Sequence, residues 1–210
     1  YFVLSATWDD VEQRWKALNT YDIRKDLNYY QAAFHNRLAQ KLQDLGYGIE
    51  RKGRFFEVEG ISSSVIYKFS RRTQLIEQTA QDLGIIDPKA KSELGARTRQ
   101  HKNAQLSMEQ LRDLWVSRLT VEEREQLSSV SHQARKRAAE WQPSRTDVNT
   151  AMEHAADHLF ERRSSVPATE LMAEALNYGV GSFFVEDAWS KLSSKDRFTA
   201  SVDDRLYVSS

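Results

Sequence analysis

Two short runs of β-prone residues, Val3 to Thr7 and Arg14 to Leu18, flank the polar stretch Asp9-Asp10-Val11-Glu12-Gln13, which predicts a hairpin whose first strand lies in a sheet. From Asp22 the spacing changes. Leu27, Tyr30, Phe34, Leu38, Leu42 and Leu45 recur every three or four residues, the period of a helix with one apolar face, with Asp22 as its N-cap and Gly46 as its stop. Tyr47-Gly48-Ile49-Glu50 and Phe55-Phe56-Glu57-Val58-Glu59 then bracket Arg51-Lys52-Gly53-Arg54, a second hairpin with glycine where a positive φ is needed.

Ser62 or Ser63 caps the next helix, which carries Val65, Ile66, Phe69, Leu75, Ile76 and Leu83, passes or breaks at Ser70-Arg71-Arg72-Thr73, and ends at Gly84. Further helices start at Asp87-Pro88, Ser107 and Thr120, where small polar caps precede acidic or proline-containing first turns. Trp141-Gln142-Pro143-Ser144 is the best candidate seam. Beyond it a helix spans Asp147 to Arg163, another follows Pro167-Ala168-Thr169 through Leu176, and Gly179 and Gly181 separate that from Val185 to Leu192. Arg197-Phe198-Thr199-Ala200 and Leu206-Tyr207-Val208 close the chain as a hairpin, and helices followed by a small ribbon suggest a winged-helix-like unit. The fold class expected is α+β: a partial antiparallel sheet with long helices, then a mostly helical module with a small β-ribbon.

Composition adds bounds. With 40% hydrophobic and 29% charged residues, and only 8 Gly and 3 Pro among 210, the chain is expected to fold rather than remain disordered. Cysteine is absent, which excludes a disulfide framework and thiolate metal sites and makes the cytoplasm the expected compartment. No apolar run approaches the roughly 20 residues that span a bilayer. Formal net charge is zero, yet residues 61–144 hold 14 basic and 10 acidic side chains, whereas 145–210 hold 7 and 11. A neutral protein with a basic middle can still attract phosphate locally.

Three constellations could carry chemistry. A tyrosine hydroxyl such as those of Tyr29-Tyr30 can attack a phosphodiester, but Tyr30 lies on the apolar face of a strongly periodic helix, and packing is the preferred reading of the pair. His154 and His158 share a helical face at the spacing of two zinc ligands, but Ala155-Ala156-Asp157 between them lacks the glutamate of a zincin helix. No catalytic or metal residue is therefore assigned. The basic segments Lys68-Phe69-Ser70-Arg71-Arg72-Thr73, Arg97-Thr98-Arg99-Gln100-His101-Lys102 and Arg135-Lys136-Arg137 combine guanidinium, ammonium and hydroxyl groups suited to phosphate, although exposed helices produce similar strings.

Taken in order, the residues resemble the TrwC-type (MobF class) conjugative relaxases, which nick plasmid DNA at a transfer origin and lead one strand into a recipient. Tyr1-Phe2-Val3-Leu4-Ser5-Ala6-Thr7-Trp8 and Arg14-Trp15-Lys16-Ala17-Leu18 are similar to paired strands that follow the family's histidine motif. Tyr29-Tyr30-Gln31-Ala32-Ala33-Phe34-His35-Asn36-Arg37-Leu38 through Leu45-Gly46-Tyr47 resembles the next long helix and turn, and Phe55 to Ile61 with Phe69-Ser70-Arg71-Arg72 the hairpin and basic helix after it. Ala96-Arg97-Thr98-Arg99, Lys102 and Leu111 to Trp115 look like the end of the relaxase domain. Leu159 to Arg162, Glu170 to Leu176 and Gly179-Val180-Gly181 resemble the small region before the helicase motor.

The resemblance implies residues 1–140 as the C-terminal part of a relaxase-like domain and 145–210 as a helical, winged-helix-like module preceding a helicase. It implies a parent enzyme with a nucleophilic tyrosine, three histidines holding a divalent metal, and an ATP loop. None of His35, His101, His132, His154 and His158 occupies a matching place, so no cofactor is expected in this chain itself. The function expected is the non-catalytic, DNA-binding portion of a bacterial, cytoplasmic relaxase, a fragment working with the remainder of the relaxase/helicase chain. The partner is single-stranded DNA at the transfer origin, and Lys68, Arg71, Arg72, Arg97, Arg99 and Lys102 are its contacts. The alternative is a helical protein-interaction or regulatory module without DNA binding.

Overall fold

The structure, a computed structural model, describes residues 6–17, 20–97, 106–138, 147–194, 198–200 and 205–208. It is α+β, as expected. The first hairpin pairs β1 (Ala6–Asp9) with β2 (Arg14–Ala17) antiparallel, Trp8 opposite Trp15 with rings edge to face at 5.6 Å. Its turn is set by the Asp9 carboxylate, which accepts from the Val11 and Glu12 amides at 2.9 Å each. A one-turn helix α1 (Tyr21–Lys25) precedes α2 (Leu27–Asp44), so Asp22 lies inside α1 rather than capping the long helix; Asp26 stands at the junction. The second hairpin, β3 (Ile49–Lys52) and β4 (Phe55–Val58), turns at Gly53, whose φ is +61°.

Then follow α3 (Ser63–Phe69), α4 (Arg71–Asp82), α5 (Pro88–Arg97), α6 (Met108–Ser117) and α7 (Val121–Arg137). Local chemistry sets several starts. Ser107 with Gln110 and Thr120 with Glu123 form reciprocal capping boxes, and the Asp87 carboxylate accepts from the Ala90 amide at 2.8 Å. The last stretch comprises α8 (Val148–Phe160), β5 (Val166–Pro167), α9 (Ala168–Tyr178), α10 (Val185–Ser193), β6 (Phe198–Ala200) and β7 (Arg205–Val208), with strand order β5-β7-β6, all antiparallel.

Two compact units result: Tyr1–Leu45 with Ile49–Glu57 and Glu140–Ser210, and Gly46–Gly48 with Val58–Ala139. They cut across the division at 140 and 145, and the Trp141–Ser144 seam lies outside the described residues. The physical reason is the way α2 is used. Its buried residues are Ala32, Ala33, Asn36 and Ala39, whereas the expected apolar stripe stays open, with Leu27, Phe34 and Leu38 exposed by 57%, 45% and 39%. The small-residue face packs on α9, whose Leu171, Met172, Ala175 and Leu176 are fully buried and also pack on α8.

Polar groups fix the ends of this contact. The Thr169 hydroxyl donates to Asp26 at 2.7 Å at one end; at the other, buried Asn36 donates to the Phe183 carbonyl at 2.9 Å and accepts from the Gly181 amide at 2.6 Å. Between them the Trp189 indole donates to the Tyr29 hydroxyl at 2.7 Å. Also within this unit, His35 on α2 lies against the rings of Phe55 and Phe56 at 5.4 and 6.2 Å.

Among the described residues of the second unit, Val65, Ala80 and Ala134 are buried, and polar contacts tie its helix ends.

Candidate nucleic-acid interface

The basic helix expected after the second hairpin is two helices. Ser70, at φ −84° and ψ 42°, ends α3 by donating its hydroxyl to the Ile66 carbonyl at 2.8 Å, and α4 restarts at Arg71. The break sends its neighbouring cations to different jobs. Lys68 reaches Glu123 at the start of α7, 2.6 Å away, where the same carboxylate also caps the Thr120 amide at 2.9 Å and meets the Ser64 hydroxyl at 3.3 Å. The Lys68 ammonium, followed by the Thr120 amide, holds the Glu123 carboxyl below the usual glutamate range.

A depressed carboxyl contributes stability that is present above its unfolded pKa and is lost as pH falls through its folded one. Acid titration of the second unit should therefore show a destabilising step below the ordinary glutamate range that Glu123→Gln removes. Circular dichroism melts across pH check it; identical acid profiles for the two proteins would refute the role.

Arg72 is also committed in part. Its Nη2 donates to the Gly95 carbonyl at 3.0 Å and ties α4 to α5, alongside a Lys91–Glu77 pair at 2.8 Å. Arg71 is exposed. Both arginines stand in the first turn of α4, which has no acidic residue to oppose them, and the positive end of the helix dipole adds to their field. Side-chain detail at Arg97 lies outside the described residues, as do Arg99 and Lys102 altogether. The structure thus brings Arg71 and Arg72 together, turns Lys68 toward α7, and does not place the other three.

One group escaped the sequence reading. The Arg118 guanidinium lies 5.9 Å from the Phe69 ring centroid, a cation–π pair just beside the α3–α4 break. Trp115, 40% exposed, precedes by three residues Arg118, which caps the end of α6, and Tyr67 is 65% exposed. Charge runs point to clustered cations, but Arg118 is isolated in sequence between Ser117 and Leu119 and only the fold pairs it with Phe69. Arg135 and Lys136, in the last turn of α7, are exposed, while Arg137 approaches Glu59 at 4.0 Å across a cavity of about 220 Å³ lined by Gly46, Tyr47, Gly60 and Gln133.

The other two candidate pairs make packing contacts within the first unit. Tyr29 packs edge to face on Trp189 at 5.7 Å and its hydroxyl accepts the indole hydrogen bond. His154 stacks on Tyr178 at 4.0 Å, nearly parallel to His158 at 6.4 Å, with the Arg51 guanidinium 5.2 Å from the Tyr178 centroid. Among the described residues no three His, Cys, Asp or Glu side chains come close enough to hold one metal ion. Nor, among them, is any helix long and apolar enough to cross a membrane.

Comparison with known proteins finds no match among curated proteins and none among solved structures. The family model described as TrwC relaxase matches residues 1–122, which takes in β1 through α7's first residues and therefore α2, Arg71 and the Phe69–Arg118 pair. With more than half of its length matched, the chain belongs to the TrwC relaxase family.

Proposed function

We propose that this chain is the non-catalytic, DNA-gripping part of a conjugative relaxase that nicks plasmid DNA at a transfer origin and passes one strand on. The observation that carries the reading is the Arg118 guanidinium over the Phe69 ring at the α3–α4 break, two residues before exposed Arg71, in a family that acts on DNA. Guanidinium groups supply bidentate phosphate contacts, and Phe69, Tyr67 and Trp115 offer rings on which unpaired bases can stack without sequence preference. Arg72 contributes its remaining N–H groups, and Arg97, Arg99 and Lys102 are further phosphate contacts in this reading. Lys68 acts indirectly, holding α3 against α7. Nicking, with a divalent metal, and ATP-driven unwinding fall to other parts of a bacterial cytoplasmic parent, with which this chain works.

The test is titration of a labelled single-stranded oligonucleotide by fluorescence anisotropy at several salt concentrations. Affinity should fall with salt, and removing Arg71 and Arg118 together should weaken binding and flatten the log–log slope by about 0.7 for each phosphate that is no longer neutralised. Lys68→Ala should lower thermal stability more than it alters that slope. Absence of binding at low salt would sink the reading and favour a protein-interaction module. Magnesium or manganese should yield no covalent protein–DNA adduct; an adduct that disappears in Tyr29→Phe would overturn the non-catalytic assignment.

A further inference from the structure

Residues 147–208 run helix, strand, helix, turn, helix, strand, strand, and their sheet order β5-β7-β6 sets the first strand beside the last. That is the connectivity of a winged helix-turn-helix, with α9 and α10 as the helix pair and β6–β7 as the wing. In DNA readers of this kind the second helix of the pair enters the major groove and its N-terminal residues touch base edges. Shape alone would therefore send α10 into DNA.

Three observations send it elsewhere. The turn between α9 and α10 is buried on α2: Gly181 has φ +78°, a Cβ there would come within 3.0 Å of the Ala39 Cβ, and Asn36 bonds both the Gly181 amide and the Phe183 carbonyl. The first turns of α10 also face α2, since Glu186 pairs with Arg37 at 2.8 Å and Trp189 bonds Tyr29. Finally, residues 147–194 carry eight acidic and three basic side chains, and the first turn of α10 holds Glu186 and Asp187 where a groove reader needs neutral or positive donors.

We propose that this winged-helix unit is a protein clasp: α9 and the α9–α10 turn, with Glu186 and Trp189 of α10, grip α2 of the relaxase region, and α10 makes no contact with a DNA groove. The occupant is a helix of the same chain, and the fit is specific. Alanines at 32, 33 and 39 let α9 and the turn approach closely, while Asp26, Tyr29, Asn36 and Arg37 supply a polar partner at each level along α2. The clasp converts a module that resembles a DNA reader into the support of the helix from which the β3–β4 hairpin departs.

The absence of cysteine allows a clean test on the full chain. The Asp26 and Thr169 side chains meet, with oxygens 2.7 Å apart, so the two thiols of Asp26→Cys/Thr169→Cys should be joined by a short bis-methanethiosulfonate reagent through disulfides that reduction cleaves. The bridged protein should bind single-stranded and duplex oligonucleotides within twofold of the reduced one. Tenfold weaker binding that recovers on reduction would overturn the proposal, because it would mean that the unit must leave α2 to reach DNA. Failure to form the bridge would count against docking. Amide exchange in the unaltered chain is the second measure: α2 and α9 should open together, and separate opening would overturn the clasp. If the reduced protein binds no DNA, the grip at Arg71 fails, while bridge formation and exchange still judge the clasp.

Discussion

Gly46→Ala is expected to destabilise the second compact unit by at least about 3 kcal/mol, combining left-handed strain with a backbone collision. The glycine follows the last turn of α2, where Leu45 closes the helix on the Lys41 and Leu42 carbonyls, and reverses the chain at φ +86°. An alanine there has strain to bear, about 1–2 kcal/mol for a side chain in the left-handed region. Position adds the larger part. The new Cβ would sit 1.9 Å from the Ala134 carbonyl oxygen and 2.7 Å from the Ala138 nitrogen, two backbone groups that hydrogen-bond each other at 2.9 Å in α7. Neither can swing aside as a side-chain end would.

Gly53→Ala provides the contrast. It also replaces a glycine at positive φ, +61°, but nothing lies within 4 Å of the added carbon. Urea unfolding should therefore show a small loss, about 1–2 kcal/mol, for Gly53→Ala and a much larger one for Gly46→Ala. Equal losses would show that strain alone matters at Gly46 and that α7 does not press on it.

Asn36→Ala should cost the first unit about 2–3 kcal/mol, chiefly through an orphaned buried donor. Asn36 is fully buried and serves two groups of the α9–α10 turn; after truncation the Phe183 carbonyl keeps Gln40, which donates to it at 2.8 Å, but the Gly181 amide loses its acceptor. The site is too tight for easy repair, since Gly181 already lies against Ala39 and Gln43. Gln40→Ala, at a half-buried site where Asn36 remains, should cost only about 1 kcal/mol. Chemical denaturation gives the ranking, and faster amide exchange at Gly181 should single out the Asn36 variant. A smaller loss for Asn36→Ala than for Gln40→Ala would contradict the assigned hydrogen bonds.

Much of this architecture was readable one element at a time. Ser107 and Thr120 mark helix starts because their caps close on Gln110 and Glu123, three residues away. Gly46 and Gly53 mark reversals because the backbone itself demands positive φ there. The hairpins followed from alternation, and the ordered likeness to TrwC relaxases rested on short motifs that the family match over residues 1–122 supports. A strand of two residues, one of them Pro167, has no such pattern, and β5 exists only because β7 comes to pair with it.

Burial and partnership were a different matter. The Leu27–Phe34–Leu38 stripe has the stronger hydrophobic period, yet the Ala32–Asn36–Ala39 face is the one α9 covers, because close approach and satisfied hydrogen bonds favour small residues and one well-placed amide. Lys68 and Arg71 belong to one basic run, yet Glu123, 55 residues away from Lys68, takes one and leaves the other at the surface. Arg118 gained its meaning from Phe69 in the same way. Caps, turns and helical period act over about four residues and are written into the chain locally. Which face is covered, which charge is paired and which ring meets a cation depend on residues brought together from far apart, and that information exists only once the helices have packed.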